Sequence, residues 1–311
     1  MLRRVLLAAS ASRRVRRFIT TVPLTSAVVR RFVAGETIDD ALTTAERLIA
    51  EGLAVTIDYL GEDTGDPEQA AAVAAEYVAL IGALRAAGLT ARGRAEVSVK
   101  PTAVGLGLPE HGHKTAVENI TRIAMAARDG GTTVTLDMED HTRVDETLRL
   151  VAELRKDFPD IGCVLQSYLR RTPGDAEALA VSGSRVRLCK GAYSAPDGVA
   201  FSARSEVDRS YARCLRILLA GPGYPMLATH DPRLISIAQS RAAAAGRASG
   251  TFEFQMLYGI RPDEQRRLAA EGAQVRVYLP YGSDWYGYLV RRLAERPANV
   301  LFFLRALTTR R

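Results

Sequence analysis

The sequence predicts a (β/α)8 barrel, in which eight parallel strands form a closed ring surrounded by helices. Short β-branched runs alternate eight times with alanine- and leucine-rich helical segments. The chain has 311 residues, and one such barrel takes about 250. No glycine-rich phosphate loop of the GxGxxG or Walker type follows any strand, which argues against an open doubly wound sheet. We therefore expect an N-terminal helical extension over residues 1–52 and the barrel over 53–311.

The strands and helices are predicted from residue type and from their start and stop signals. Thr37-Ile38-Asp39-Asp40 resembles a capping box, with Thr37 or Asp39 as the cap, and Gly52 ends that helix. Pro280 and Gly282 are expected to end the eighth strand, with a helix after it. The predicted strands are 54–58, 95–100, 133–137, 162–166, 186–190, 226–229, 252–257 and 275–279. The predicted helices between them are 67–87, 115–128, 145–156, 173–182, 202–219, 232–245 and 262–270.

Positive charge is concentrated at the N-terminus. The net charge is +7, and residues 1–35 contain eight arginines and no acidic residue. Three interpretations remain open: an organellar transit peptide, a basic amphipathic helix on an anionic membrane, or an ordinary helix with a solvated basic face. We favour the ordinary helix, with membrane association second. A nucleic-acid function is disfavoured, because no reader motif or interleaved aromatic residues accompany the charge.

Cysteine usage indicates a protein of a reducing compartment, so we expect a cytoplasmic location. The three cysteines lie far apart without a CxxC pair, which argues against disulfides or a structural zinc site. No apolar run is expected to be long enough to span a membrane.

Polar residues occupy the ends of the predicted strands and the loops that follow them. Catalytic residues of this architecture lie at that end of the barrel. A ring of mixed charge made by Lys100, Asp137 and Arg187 suits binding of a charged small molecule or acid–base chemistry, and the alternative is a structural ion-pair network. The residues at these positions are Asp58, Glu62, Lys100, Asp137, Glu139, Gln166, Arg187, Lys190, Tyr193, Thr229, His230, Gln255 and Tyr278.

The helix after the eighth strand carries a second polar patch. Tyr288, Arg291, Arg292 and Glu295 recur at spacings of three and four, so they share one face. Two guanidinium forks match a carboxylate, and the glutamate suits an ammonium group or supports an arginine. The patch therefore suits a small zwitterion, and the alternative is an exposed helix with ordinary ion pairs.

Three further motifs have both a functional and a structural interpretation. Lys190-Gly191-Ala192-Tyr193 allows close backbone approach to a ligand, or is a simple turn. Thr229-His230-Asp231 precedes a helix and suits a phosphate better than a metal, since His111 and His113 lie in another loop. Along the seventh strand, Gln255 and Leu257 are expected to point inward.

Taken together, these motifs resemble proline dehydrogenases, and the similarity covers nearly the whole chain, with the closest match to the monofunctional bacterial type. The motifs are Arg31–Thr37, Leu60–Glu62, Val97–Gly105, Leu136–Asp140, Val164–Thr172, Arg187–Tyr193, Ala228–Arg233, Phe252–Gly259 and 276–295. The chain departs from the family in the loop 106–114 and at Cys189, where valine is common.

The resemblance implies a role for each matched residue. Asp137 and Arg187 match catalytic positions, the arginine beside the N5 atom of the flavin. FAD contacts are implied for Met138, Gln166, Arg187, Lys190, Gly191, Ala192, Thr229, His230 and Gln255. Proline contacts are implied for Lys100, Tyr193, Leu257, Tyr278, Tyr288, Arg291 and Arg292, with Glu295 supporting the arginines and Glu62 closing the site.

The implied activity is oxidation of L-proline to Δ1-pyrroline-5-carboxylate, the first step of proline catabolism, by hydride transfer to FAD. The implied electron acceptor is a membrane quinone, which would bring the protein to the inner membrane surface. Two rivals remain: a folate reductase, which shares the barrel and the flavin, and a non-catalytic ligand sensor at the membrane.

Overall fold

The chain folds into a closed barrel of eight parallel strands. The computed structural model describes residues 29–61 and 64–288. Within them the strands follow one another around the ring in sequence order, and β8 pairs with β1 to close it. This confirms the predicted fold. The strands are β1 (Ala54–Tyr59), β2 (Ala95–Val99), β3 (Val134–Leu136), β4 (Gly162–Gln166), β5 (Arg185–Cys189), β6 (Tyr224–Ala228), β7 (Glu253–Leu257) and β8 (Val275–Tyr281).

Helices connect the strands on the outside of the ring. Those with both ends in the described ranges are α1 (Ile38–Ala50), α2 (Pro67–Ala86), α3 (Gly112–Asp129), α4 (Val144–Leu154), α5 (Thr172–Leu179), α6 (Arg204–Ala220), α7 (Pro232–Ala244) and α8 (Pro262–Ala270). Residues 285–288 are also helical, as predicted for the segment after β8.

Helix α1 covers the seam between β8 and β1, where the helix after β8 would lie in a regular barrel. Its capping box forms as predicted, with Thr37 as the cap, because the Thr37 and Asp40 side chains each accept a hydrogen bond from the other's backbone N–H. Its apolar face packs into the main core. The described part of residues 1–52 is thus built into the barrel wall, while the domain boundary at residue 52 stays a prediction.

Some element ends differ from the prediction for local reasons. β8 extends to Tyr281, past its predicted end. Pro280 has no backbone N–H that would need an acceptor there, and its carbonyl accepts a hydrogen bond from the Ala34 N–H at 2.9 Å. α3 begins at Gly112, three residues early, because His111 turns the chain into the helix in a left-handed conformation with φ of 57°.

The strands alternate between an apolar outer face and a polar inner face. On β2, Val97 and Val99 belong to the main core, whereas Glu96 and Ser98 bond to residues of other strands across the interior. Because strand side chains alternate, the same pattern runs through the neighbouring strands. The core therefore lies between the barrel and its helices, and the interior of the barrel holds a buried polar network.

The expectation that no apolar run is long enough to span a membrane was wrong. By length and composition alone, α2 qualifies as a candidate membrane span. It buries one face against the barrel, including Val73, Tyr77, Leu80 and Leu84, as a core helix does.

Candidate active site at the barrel mouth

Arg187 on β5 is the centre of the polar network at the carboxyl end of the strands. Its Nη1 atom donates to Asp137 Oδ1 at 2.5 Å and to Ser98 Oγ at 2.9 Å. Its Nε atom donates to Gln255 Oε1 at 2.5 Å. The side chain is buried, and the second terminal nitrogen, Nη2, has no hydrogen-bond partner among the described residues but lies 4.0 Å from Glu96 Oε1, an ion-pair distance. The structure thus brings Asp137, Arg187 and Gln255 together from three different strands or strand ends.

Asp137 is held by three donors. Besides Arg187 and Ser98, the Tyr278 hydroxyl donates to its Oδ2 atom at 2.7 Å. The Arg187 guanidinium also lies 5.4 Å from the centre of the Tyr278 ring. Burial and the charge of Asp137 raise the pKa of Tyr278 well above its ordinary value. The phenol therefore remains a hydrogen-bond donor at neutral pH.

Lys100 forms an ion pair at the ends of β1 and β2. Its Nζ atom lies 2.8 Å and 2.6 Å from the two carboxylate oxygens of Asp58, which is fully buried. The Tyr77 hydroxyl donates to the Ser98 carbonyl at 2.7 Å and lies 3.4 Å from Asp58. A buried carboxylate requires such a partner, because an isolated charge in the interior is costly. Asp58 had been assigned no role from the sequence.

Glu139 is held beside the end of β3. Its carboxylate accepts hydrogen bonds from the Thr102 backbone N–H at 3.0 Å and the Thr102 hydroxyl at 2.6 Å. Burial raises the pKa of Glu139, and the bonds from Thr102 only partly oppose that shift. The predicted cofactor residue Gln166 donates to the Glu139 carbonyl at 2.7 Å, which orients its amide.

Lys190, at the end of β5, is enclosed by acidic side chains. Its Nζ atom pairs with Asp208 and lies 3.3 Å from Asp231 Oδ2. Burial alone would raise the pKa of Asp231, but hydrogen bonds from Arg233 and Lys190 lower it to about 2. Asp231 also caps α7 by accepting a hydrogen bond from the Arg233 N–H. The lysine is therefore fixed rather than extended into solvent.

Gly191 needs to be glycine at this position. Its φ is +95°, and an added Cβ would lie 2.2 Å from a ring carbon of Tyr168. The backbone after β5 therefore passes directly against an aromatic ring at the edge of the mouth. Ala192 follows it, and Tyr193 is 37% exposed.

Thr229 and His230 are fixed by backbone contacts. The Thr229 hydroxyl accepts a hydrogen bond from the Asp231 N–H at 3.1 Å. His230 Nε2 accepts one from the Leu257 N–H at 2.9 Å, so this nitrogen carries no proton and the imidazole is neutral. The Arg261 guanidinium donates to the His230 carbonyl at 2.6 Å. These contacts join the end of β6 to β7. Among the described residues, no group of three or more side chains could hold a metal ion.

The remaining predicted site residues divide into two groups. Met138 and Tyr288 are buried, and Leu257 is partly buried. The residues that fall outside the described ranges are Glu62, Arg291, Arg292 and Glu295.

The sequence analysis missed the polar layer below the mouth. Arg276 on β8 binds Glu253 on β7 through Nε at 2.8 Å and Nη2 at 3.1 Å. Arg185 on β5 binds Glu96 on β2 at 2.6 Å. The strict alternation of polar and apolar residues along these strands was the available signal. The predicted site residues lie at the strand ends and in the loops after them, whereas this alternation extends along the strands.

The whole chain was compared with known proteins. The family model described as proline dehydrogenase matches residues 41–305. A proline dehydrogenase of Deinococcus radiodurans is 42% identical over 282 residues, which is 90% of each chain. Proline dehydrogenase 1 of Bacillus subtilis is 38% identical over 307 residues, 99% of each chain.

Solved structures show the same barrel inside longer proteins. Proline utilization A from Bdellovibrio bacteriovorus, crystallised after inactivation by N-propargylglycine, superposes with a TM-score of 0.78 at 25% identity. The match covers 86% of this chain and 32% of that one. In contrast, the Deinococcus and Bacillus relatives are matched over nearly their full length, so the similarity is to the monofunctional type. The chain belongs to the proline dehydrogenase family, a family of oxidoreductases.

Proposed function

We propose that this protein oxidises L-proline to Δ1-pyrroline-5-carboxylate with FAD bound at the barrel mouth. The observation that carries the proposal is the arrangement around Arg187. Two of its nitrogens are fixed by Asp137, Ser98 and Gln255, while the buried Nη2 has an ion pair with Glu96 Oε1 at 4.0 Å and no hydrogen-bond partner among the described residues. A buried guanidinium N–H without a hydrogen-bond acceptor is costly, and a ligand with an acceptor atom there would remove that cost.

The mouth fits a flavin on chemical grounds. The edge of a flavin ring presents nitrogen and oxygen acceptors, which suit the Nη2 donor of Arg187. The Tyr168 hydroxyl is a second buried polar group that has no partner within the described part of the chain. Gly191 brings the backbone close without a side chain in the way. When bound, the flavin supplies the hydride acceptor. The residues that would hold it are Met138, Gln166, Arg187, Lys190, Gly191, Ala192, Thr229, His230 and Gln255.

The substrate would lie between this cradle and the helix after β8. Lys100 would bind the proline carboxylate together with Arg291 and Arg292, which fall outside the described residues. Tyr278 and Leu257 would pack against the apolar ring, and Tyr193 and Tyr288 would complete the pocket. Exclusion of water by such walls strengthens every charge interaction inside the site.

The proline amine must lose a proton when hydride leaves the neighbouring carbon. Lys100 and a water held by Asp137 are two candidate acceptors for this proton. Both carboxylate oxygens of Asp58 lie against Lys100 Nζ, and a nearby negative charge favours the ammonium form, which has no lone pair. We therefore assign the proton to a water held by Asp137.

The electrons would then pass to a membrane quinone at the inner surface of the membrane, with the protein otherwise cytoplasmic. The basic segment 1–35 supports this location by its charge alone. Removing residues 2–17 should reduce sedimentation with anionic liposomes, compared with the full chain at the same salt concentration. Equal sedimentation would count against a membrane role for this segment.

Anaerobic titration with proline tests the proposed reaction. We expect purified protein to carry FAD, and L-proline to bleach its absorbance while D-proline does not. The product should be two hydrogen atoms lighter than proline. Bleaching by a reduced nicotinamide instead would indicate the folate reductase. Proline binding without bleaching would indicate the sensor, and a protein that neither carries nor takes up FAD would overturn the proposal.

A further inference from the structure

A chain of hydrogen bonds runs inside the barrel from its base to Arg187. Arg276 on β8 holds both carboxylate oxygens of Glu253, the first residue of β7. Glu253 Oε1 accepts a hydrogen bond from Gln255 Nε2 at 2.6 Å. The other end of the same amide, Oε1, accepts from Arg187 Nε at 2.5 Å. All four side chains are buried, with at most 4% of any residue exposed.

The amide of Gln255 has two ends of equal size and opposite chemistry. If it rotated by half a turn, its NH2 group would face the Arg187 N–H, donor against donor, and its carbonyl would face Glu253, acceptor against acceptor. An ionised carboxylate can only accept, so Glu253 permits a single orientation of this amide. That orientation presents an acceptor to Arg187.

Glu253 is held in its ionised form. Burial raises the pKa of Glu253, but the charge and hydrogen bonds of Arg276, the charge of Arg185 and the hydrogen bond from Gln255 together outweigh burial, and the pKa lies below its ordinary value. The Tyr224 hydroxyl also donates to Glu253 Oε2 at 3.0 Å, on the side away from Gln255. The charge of Arg276 therefore maintains the acceptor that orients Gln255.

We propose that Glu253 is a positioning residue that sets the orientation of the Arg187 guanidinium through Gln255. With Nε held by Gln255 and Nη1 held by Asp137, the plane of the guanidinium is fixed. Nη2 then lies 4.0 Å from Glu96 Oε1, and the guanidinium charge is held in one position at the mouth. The consequence for catalysis rests on the proposed function, because it assumes that the ligand of the mouth is the flavin.

The test compares Glu253→Gln and Gln255→Met with a control, Tyr224→Phe. The control removes a different hydrogen bond of the same carboxylate and leaves the contact with Gln255. Sulfite forms an anionic adduct with oxidised flavin, so its affinity reports a positive charge beside the ring. We expect about tenfold weaker sulfite binding and about tenfold lower kcat in both test variants, because misorientation weakens one electrostatic contact. The KM for proline should stay within about twofold, and the control should match the wild type.

Non-additive effects of the two substitutions would distinguish this chain of hydrogen bonds from general destabilisation. In the double variant, Glu253→Gln should add nothing to Gln255→Met, because the path between Glu253 and Arg187 is already cut. Wild-type sulfite affinity in Gln255→Met would overturn the proposal even if Glu253→Gln does not fold. So would independent, multiplying effects in the double variant.

A second readout does not need the flavin. The shifts in thermal unfolding midpoint caused by Glu253→Gln and Arg187→Met should be non-additive, although the two side chains are not bonded to each other. The non-additive part should shrink in the Gln255→Met background, where only the longer path through Arg276 and Glu96 still joins the two side chains. Additive shifts in the wild-type background would overturn the proposal that Glu253 acts on Arg187 through Gln255. A colourless wild-type protein would instead overturn the proposed function, so the two failures are distinguishable.

Discussion

The base and the mouth of the barrel interior both hold buried charges, but only at the base are the donors of the central arginine fully used. At the base, the five N–H groups of Arg276 make five hydrogen bonds, to Glu253 and to the carbonyls of residues 55, 93 and 94. At the mouth, Arg187 uses three of its five in hydrogen bonds, and Nη2 has only the ion pair with Glu96 at 4.0 Å among the described residues.

This difference separates a structural network from a ligand site. A complete set of hydrogen bonds leaves nothing to offer a ligand, and breaking it mainly costs stability. An incomplete set at the mouth leaves a donor that a ligand can use, whereas Arg185 Nε, which also lacks a hydrogen bond, lies in the layer below, where Arg185 pairs with Glu96. Substitutions at the base should therefore change stability, except at Glu253, whose effect reaches Arg187 through Gln255, and those at the mouth should change kinetics.

Among the substitutions that change stability, the largest effect is expected at Lys100, where the two roles coincide. Lys100→Met leaves the buried carboxylate of Asp58 without its cation, which should lower the free energy of unfolding by about 3–5 kcal/mol. The KM for proline should rise by about 10–100-fold, because a charged hydrogen bond to the substrate is lost. Urea unfolding and initial rates measure the two quantities.

The matched control removes both charges. Lys100→Met combined with Asp58→Leu should recover most of the lost stability, because no unpaired charge remains buried. The KM should stay high. If the KM returned to the wild-type value together with the stability, Lys100 would have a structural role alone.

A smaller effect, on stability alone, is expected for Arg247 near the base. Its guanidinium donates to carbonyls in the last turn of α6 and in the loop before β6, including Leu219 at 2.9 Å and Gly223 at 3.0 Å. Arg247→Met should lower the free energy of unfolding by about 2–3 kcal/mol, the range for hydrogen bonds of a charged group. Denaturant curves check this value. A changed KM for proline would contradict the expectation that Arg247 affects stability alone.

The smallest effect is expected at Asp231, and it depends on pH. Its folded pKa of about 2 lies below the ordinary 3.8, so its stabilising contribution is present above pH 3.8 and is lost as pH falls through about 2. Because the group is partly solvated, we expect the contribution to be only about 1 kcal/mol. Asp231→Asn should flatten the acid limb of stability against pH. An acid limb as steep as that of the wild type would contradict the assignment.

The barrel could be predicted because its signals are local. Strand runs and caps such as Thr37 are read within a few residues. The polar residues at strand ends, including Asp137 and Arg187, followed from one rule about this architecture. The sequence did not predict which charged residues pair with each other. Arg276 meets Glu253, and Lys100 meets Asp58, only because neighbouring strands adopt a particular register. Likewise, nothing local indicates that α1 fills the seam between β8 and β1.

Single-turnover reduction by L-proline tests the central claim most directly. Flavin absorbance would be followed after anaerobic mixing with the wild type, Arg187→Met and Arg247→Met. We expect the reduction rate of Arg187→Met to fall by about 10²–10³-fold, the effect of removing one preorganised donor at a developing charge. Arg247→Met should reduce its flavin at the wild-type rate despite its lower stability. Equal rates in all three proteins, or a wild type whose flavin L-proline does not bleach, would contradict the account.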